Sequence, residues 1–211
     1  MSIVPNSGKN KESTVGLIIL AAGASSRLGE PKQLLKLNDQ TLIFRAVRTG
    51  LRSLCFPVLV ILGANAELIM REIEDLPVYI NKNPNWKKGM GNSLKYGLDS
   101  ILRIYPHLDA VVVMLCDQPF VDGVLLNELI RTYYKTGSLV VASEYEHHLG
   151  VPALFDKTLF PELAKLKGDK GARNIIKSIP HTKISSVPFA LGKIDIDCYE
   201  DYFLTQQLIN K

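Results

Sequence analysis

No apolar run in this 211-residue chain is long enough to span a bilayer as a helix, so no membrane partner is expected. Its first residues, MSIVPNSGKNKEST, contain no hydrophobic signal region. Residues 1–14 read instead as a polar, flexible tail. Cysteine is scarce: Cys55, Cys116 and Cys198 are widely spaced, odd in number and without a CxxC pair. That excludes a disulfide framework and fits reduced thiols in a cytoplasm. The basic residues form no stripe interleaved with aromatics, which argues against nucleic acid as a partner. Neither GxxxxGK(S/T) nor GxGxxG occurs, so the two common phosphate motifs are absent. His147 and His148, flanked by Glu144 and Glu146, match no zinc-site spacing and read as an exposed hairpin.

What remains is an ordinary globular composition. Hydrophobic residues make up 46% and charged residues 22%, enough for one domain with a sizeable core. The net charge of +4 suits a small anionic substrate without requiring one. Apolar runs at Val15–Leu20, Pro57–Leu62, Val78–Ile80, Ala110–Leu115 and Leu139–Ala142 read as strands. Helix-period segments at Thr41–Leu54, Glu67–Glu74, Asn92–Ile104 and Val124–Lys135 alternate with them. This alternation predicts an α/β fold, a three-layer Rossmann-like arrangement with a mainly parallel mixed sheet. After Ser143 the rhythm breaks. Glu144–Gly150 and Pro152–Phe155 read as short strands or a hairpin. Helices near Asp156–Leu166 and Gly171–Ser178, two short strands and a final helix follow. This second half is expected to form a lid over a substrate. No linker or repeat interrupts 15–211, which predicts a single domain.

In such sheets ligands gather beyond the carboxyl ends of the strands. The loop after the first strand is built for that edge. Leu20, Ala21, Ala22 and Gly23 are followed by small polar residues, Arg27, Gly29 and Lys32. Small residues allow close backbone approach, backbone N–H groups cradle phosphates, and the two cations add fixed charge. Asp117, at the tip of the run Val111–Cys116, places a hard oxygen ligand on the same edge, suited to Mg²⁺ and phosphate. A turn cap is the alternative for an isolated aspartate there. In Ile194–Asp195–Ile196–Asp197 a strand period of two puts both aspartates on one face. One would complete the metal site with Asp117, and the other would cap the last helix. Gly89 and Ser93 lie in a Gly-rich turn entering a helix, KGMGNS. There Ser93 and the backbone could read a base edge, or Asn92 or Ser93 could cap the helix. Lys170 and Arg173, in GDKGAR, stand where a helix N-terminus would bind an acceptor phosphate. The alternative is a polar turn with Asp169 as N-cap.

Five ordered motifs carry a resemblance: LIILAAGASSRLGEPKQLL, NPNWKKGMGNSLKYGL, VVVMLCDQPFV, LKGDKGAR and the terminal DIDCYEDY. Together they resemble the GT-A-like nucleotidyltransferases, and within them the molybdenum cofactor cytidylyltransferase, MobA-like NTP transferase family. The ending departs from the family's DIDTPED type, with Cys198–Tyr199 in place of Thr–Pro. The resemblance implies a Mg²⁺-dependent transfer of CMP from CTP, or of another nucleotide from its triphosphate, to a molybdopterin-type phosphate acceptor. It also implies a molybdoenzyme client. Arg27 is then expected to steady the β,γ-phosphates and Lys32 to sit near the α-phosphate. The stretch around Gly89 and Ser93 would recognise the base. His148 and Gly150 would line the acceptor pocket with Lys170 and Arg173, and AAG rather than AGG goes with CTP. Other acceptors, a sugar 1-phosphate or methylerythritol phosphate, fit the same class. A non-catalytic maturation factor that binds the molybdenum cofactor is a third reading, but it has no need of Asp117, Asp195 and Asp197.

Overall fold

The apolar run at the start of the chain is an interior strand of the sheet, buried on both faces. The computed structural model describes residues 14–209; the tail expected at 1–14 falls outside them except for Thr14. Strand β1 (Val15–Ala21) is buried at every position. Leu17, Ile19 and Ala21 face one hydrophobic cluster, and Ile18 and Leu20 the other. This two-sided burial explains why the strand reads as a continuous apolar run rather than an alternating one. A short hairpin, β2 (Lys36–Leu37) and β3 (Gln40–Thr41), leads into α1 (Leu42–Leu51). Then come β4 (Val58–Leu62), α2 (Ala66–Arg71), β5 (Tyr79–Lys82), α3 (Met90–Ile104), β6 (Ala110–Leu115) and α4 (Gly123–Thr136). The chain ends with β7 (Val140–Tyr145), β8 (His148–Asp156), α5 (Phe160–Ala164), α6 (Ala172–Ser178), β9 (Ile184–Pro188) and α7 (Tyr199–Ile209).

The main sheet has seven strands in the order β5-β4-β1-β6-β8-β7-β9. Only β8 runs against the rest: it pairs antiparallel with both β6 and β7, while the other pairings are parallel. Helices α1 and α4 cover one face, and α3 with α5 and α6 the other. Helix α3 lies close because Gly97 has no side chain. A Cβ there would come within 2.9 Å of Ile18 Cγ2 and 3.0 Å of Ile61 Cγ1. Overpacking of this kind costs about 1–3 kcal/mol.

The second half does not form a separate lid. Strands β7–β9 continue the central sheet, and the turn before α6 reaches the ligand edge at Gly89 and Gly91. Strand β7 runs past Ser143 to Tyr145, and β8 includes Pro152. The register shifts between Ala142 and Ser143, and Ser143 Oγ donates to the Pro152 carbonyl at 2.7 Å. The bulge accommodates a residue with no N–H for the ladder. Glu146 and His147, with φ of 49° and 62°, make the two-residue turn that a right-twisted hairpin favours. Among the described residues beyond α6 there is one strand, β9, not two. Ile194–Asp197 is extended but outside the sheet, tied to it by one bond from Ile196 N–H to the Asp117 carbonyl at 3.0 Å. Among the described residues no helix is long and apolar enough to cross a membrane.

Candidate active site

The loop after β1 is fixed by a residue that looks like surface in the sequence. Gln33 is 1% exposed. Its Nε2 donates to the Ala21 carbonyl at 3.0 Å and to the Gly23 carbonyl at 2.9 Å. Ser25 Oγ donates to Gln33 Oε1 at 3.4 Å and accepts from Lys32 N–H at 3.0 Å. Both arms of the loop are thus tied to one amide, which sets the loop's shape without a P-loop pattern. Helix α7 secures the same segment from outside. Leu28, Leu35, Leu37, Leu42 and Ile196 form a small core against which Tyr202 and Ile209 pack, and Tyr202 Oη donates to the Lys36 carbonyl at 2.7 Å.

Inside this frame the charged groups converge. Lys32 Nζ donates to Asp117 Oδ2 at 2.5 Å and to Asp197 Oδ1 at 2.8 Å. Arg27 Nη2 reaches Asp197 Oδ2 at 2.8 Å from an exposed position. Burial disfavours the Lys32 ammonium, but the Asp117 carboxylate overrides it, with help from Asp197, and holds the group above its ordinary range. Asp195 is pushed up to about 6, first by burial and then by the negative charges of Asp117 and Asp197. Asp197 is also penalised by burial, yet Lys32 and Arg27 hold it below the ordinary carboxylate range. Asp117 Oδ1 is buried and has no hydrogen-bond partner. It therefore caps no turn and leaves a hard anionic oxygen available on the ligand edge.

Neither Asp195 nor Asp197 caps α7. That role belongs to Asp201, whose Oδ2 accepts from Cys198 N–H and Asp197 N–H, each at 3.0 Å, half of a capping box. Asn92 and Ser93 do not cap α3 either. The helix starts at Met90 after Gly89, whose φ is +97°. Ser93 Oγ instead accepts from Asn83 Nδ2 at 3.1 Å. Asp169 is not the cap of α6, whose N-cap is Gly171.

Two cavities meet at the carboxylates. The first, about 340 Å³, is lined by Leu20, Ala21, Ala22, Gly23, Lys32, Gly89 and Ser93, and also by Gln33, Trp86, Asp117 and Asp169. All seven residues expected around the nucleotide lie on it; Arg27 stands outside, at the rim with Asp197. The second, about 260 Å³, includes Gln118, Tyr145, Val151, Arg173 and Asp195. Leu20, Met90, Leu115 and Asp169 border both. The two glycine motifs touch at this junction. A Cβ on Gly89 would lie 2.4 Å from the Gly168 carbonyl, and Gly91 N–H donates to the Gly168 oxygen at 2.8 Å.

The residues expected on the acceptor side are scattered. Arg173 lines the second cavity, and its Nη2 donates to Tyr145 Oη at 2.8 Å. Lys170 is exposed and lines neither cavity. His148 is exposed on the hairpin, its Nδ1 2.7 Å from the Glu146 carbonyl. Gly150 is buried behind Tyr145, whose hydroxyl would be 2.1 Å from an added Cβ. The sequence reading missed Gln33, Gln118 and Tyr145. Tyr145 carried one available signal, since it falls in the hairpin facing the GDKGAR motif.

Comparison with known proteins shows the family. Residues 17–184 match the family described as the MobA-like NTP transferase domain, and the chain belongs to it. It is a nucleotidyltransferase. Over 171 residues, 77% of this chain and 81% of the relative, it is 33% identical to nicotine blue oxidoreductase from Paenarthrobacter nicotinovorans. It is 29% identical over 168 residues to purine catabolism protein PucB from Bacillus subtilis (strain 168), covering 76% of this chain and 80% of that protein. A crystal structure of an rv0371c homologue from Mycobacterium sp. strain JC1 superposes with a TM-score of 0.79. It covers 94% of this chain and 98% of that one, at 29% identity.

Proposed function

We propose that this protein transfers CMP from CTP to a phosphate of a molybdopterin-type acceptor, releasing pyrophosphate. The observation that carries the reading is the convergence of Lys32 and Asp117 in the first cavity with Asp197 at its rim and Asp195 in the adjoining one. An acceptor phosphate oxygen bonds to the α-phosphorus, and the bond from that phosphorus to the β-phosphate oxygen breaks. The protein's task is then positioning and charge stabilisation. The loop Ala21–Gly23, held by Gln33, presents backbone to the nucleotide. Lys32 places its charge at the α-phosphate, and Arg27, at the rim, holds the departing β,γ-phosphates. Arg173 and Tyr145 orient the acceptor. The choice of CTP rests on Ala21–Ala22–Gly23 through the family pattern.

The donor set fits a divalent cation. Among the described residues no three acidic, His or Cys groups form a self-sufficient metal cage. Mg²⁺ does not need one, since it takes one or two carboxylates and completes its shell with water and phosphate. Asp117 Oδ1, buried and unpartnered, is such an oxygen, and Asp195 or Asp197 is the second. When bound, the ion would neutralise charge on the phosphates. Pyrophosphate release measured with each nucleoside triphosphate and Mg²⁺, against a panel of phosphate acceptors, tests the reading. Turnover with CTP and molybdopterin supports it. GTP as the preferred donor overturns the base assignment. A sugar phosphate or methylerythritol phosphate as the preferred acceptor overturns the acceptor, and binding without turnover points to a maturation factor.

A further inference from the structure

A third cavity, about 190 Å³, lies on the opposite side of the Gln118–Val121 segment from the acceptor cavity, against α1. Its wall carries three arginines. Arg45, Arg48 and Arg52 are spaced three and four residues apart from the first turn of α1 to its C-cap, so they share one helix face. The other face, with Ile43 and Val47, is buried in the core and fixes which way the arginines point. Gln40 and Thr49 complete the near wall, and Gln118 stands on the far side.

The charge in this cavity is uncompensated. Among the described residues no carboxylate lies within 4.0 Å of any of the three guanidinium groups. Arg45 Nε is buried with no hydrogen-bond partner, and burial holds its guanidinium below the ordinary value. The Arg48 guanidinium rests 5.7 Å from the centre of the Phe44 ring, which limits its freedom without neutralising it. Three like charges around one small cavity, with a buried donor unused, are a cost to the fold. An oxyanion in the cavity would remove that cost, and the guanidinium fork matches phosphate geometry.

We propose that the arginine-lined cavity on α1 binds a small multivalent phosphate anion, at a site separate from the nucleotide cleft. Its volume admits a phosphate or diphosphate group and is little more than half that of the nucleotide-side cavity. Gln118 lines both this cavity and the acceptor cavity, so an anion here would sit one side chain away from the acceptor. The inference does not depend on which nucleotide or acceptor the enzyme uses.

The test is direct binding without divalent cation and at low salt. Inorganic phosphate, pyrophosphate and glycerol 3-phosphate are titrated into the full chain by calorimetry. The same titrations are run on Lys32→Gln, which impairs the nucleotide cleft, and on Arg45→Gln/Arg48→Gln. Saturable binding that survives Lys32→Gln and weakens at least about tenfold in the double arginine variant is the expected result. Preference for the inorganic ions marks a free-anion site, and preference for the ester marks the phosphate of a metabolite. Should Arg45→Gln fail to fold, Arg48→Gln/Arg52→Gln keeps the test, with loss of binding again expected. The proposal is overturned if the wild type shows no saturable binding at millimolar anion, or if binding is lost in Lys32→Gln and intact in the arginine variants.

Discussion

The two cavities of the cleft, proposed as the nucleotide side and the acceptor side, are built by different routes. On the nucleotide side, residues 22–33 are a single segment leaving β1, and one amide, Gln33, ties it back to the strand end and to Gly23. Neighbours in sequence stay neighbours in space. On the acceptor side the wall comes from the β7–β8 hairpin, the turn before α6 and the extended segment after β9, which meet only once the sheet is complete. The carboxylates show the contrast within one cluster: Asp117 is at a strand tip, whereas Asp195 and Asp197 return from 78 and 80 positions later in the chain. A site that depends on long-range closure is sensitive to orientation, which residue spacing does not encode.

The largest expected effect falls where the two routes meet. Asp117→Asn should lower nucleotidyl transfer by roughly a thousandfold or more, since a metal–phosphate interaction supplies several kcal/mol at the transition state. The melting temperature should stay close to wild type, because Lys32 keeps Asp197 as a partner and the amide keeps the side chain's shape. Pyrophosphate release and a thermal melt check both halves. An active variant would mean that the orphaned oxygen binds no metal.

The acceptor side gives the next effect. Arg173→Ala removes a cation from the second cavity, and a hydrogen bond to a charged group is worth about 1.5–3 kcal/mol. The acceptor KM should rise about tenfold to a hundredfold, while the KM for the nucleotide stays nearly constant. A larger change in the nucleotide KM would show that the two cavities are one subsite.

How much of this was legible follows the same division. The strands at Val15–Leu20, Pro57–Leu62 and Ala110–Leu115, the mainly parallel sheet and the position of the Ala21–Gly23 loop and Asp117 on one edge were readable because apolar runs and the residues just after them are local signals. Gln33 was not, since a polar residue between Lys32 and Leu34 looks solvated until its burial is known. The cap of α7 was hidden because Cys198 stands at the N-cap; its Sγ lies 3.1 Å from Asp201 Oδ2, where a hydroxyl would have signalled a capping box. Strand β7 looked finished at Ala142 because Ser143 and Glu144 are polar, yet Ser143 is fully buried at the bulge. Lys170 and Arg173 have the same charge and nearly the same place in sequence, and only the turn before α6 decides which one faces the cleft.

A smaller effect is expected from pH. Asp195 has a folded pKa raised to about 6 against an unfolded value near 4. Between those values the folded chain holds a proton that the unfolded chain has lost. The associated stability is therefore fully present below about pH 4 and is lost as pH rises through about 6. Divalent cation requires the ionised form. Affinity for Mg²⁺ with nucleotide should increase about fivefold from pH 5 to pH 6, about a further twofold by pH 7, and level off above that. In Asp195→Asn the profile should flatten. Calorimetric titration across that range measures both, and a flat wild-type profile would remove Asp195 from the cation site.

The smallest effects are the sharpest test of the comparison, because they concern residues that look equivalent in sequence to ones that matter. Lys170→Ala and His148→Ala should each change the acceptor KM by less than about fivefold. Lys170 is exposed and lines neither cavity, so its charge acts through water, where a surface interaction is worth under about 1 kcal/mol. His148 is engaged with its own turn at Glu146. The backbone around Lys170 is a different matter, because its carbonyl lies 2.5 Å from where a Cβ on Gly91 would be. Gly91→Ala should therefore disturb the junction of the cavities even though Lys170→Ala does not. If Lys170→Ala instead matched Arg173→Ala in its effect on the acceptor KM, the turn before α6 would have to rearrange when the acceptor binds, and the acceptor side would be completed by its substrate rather than by the fold.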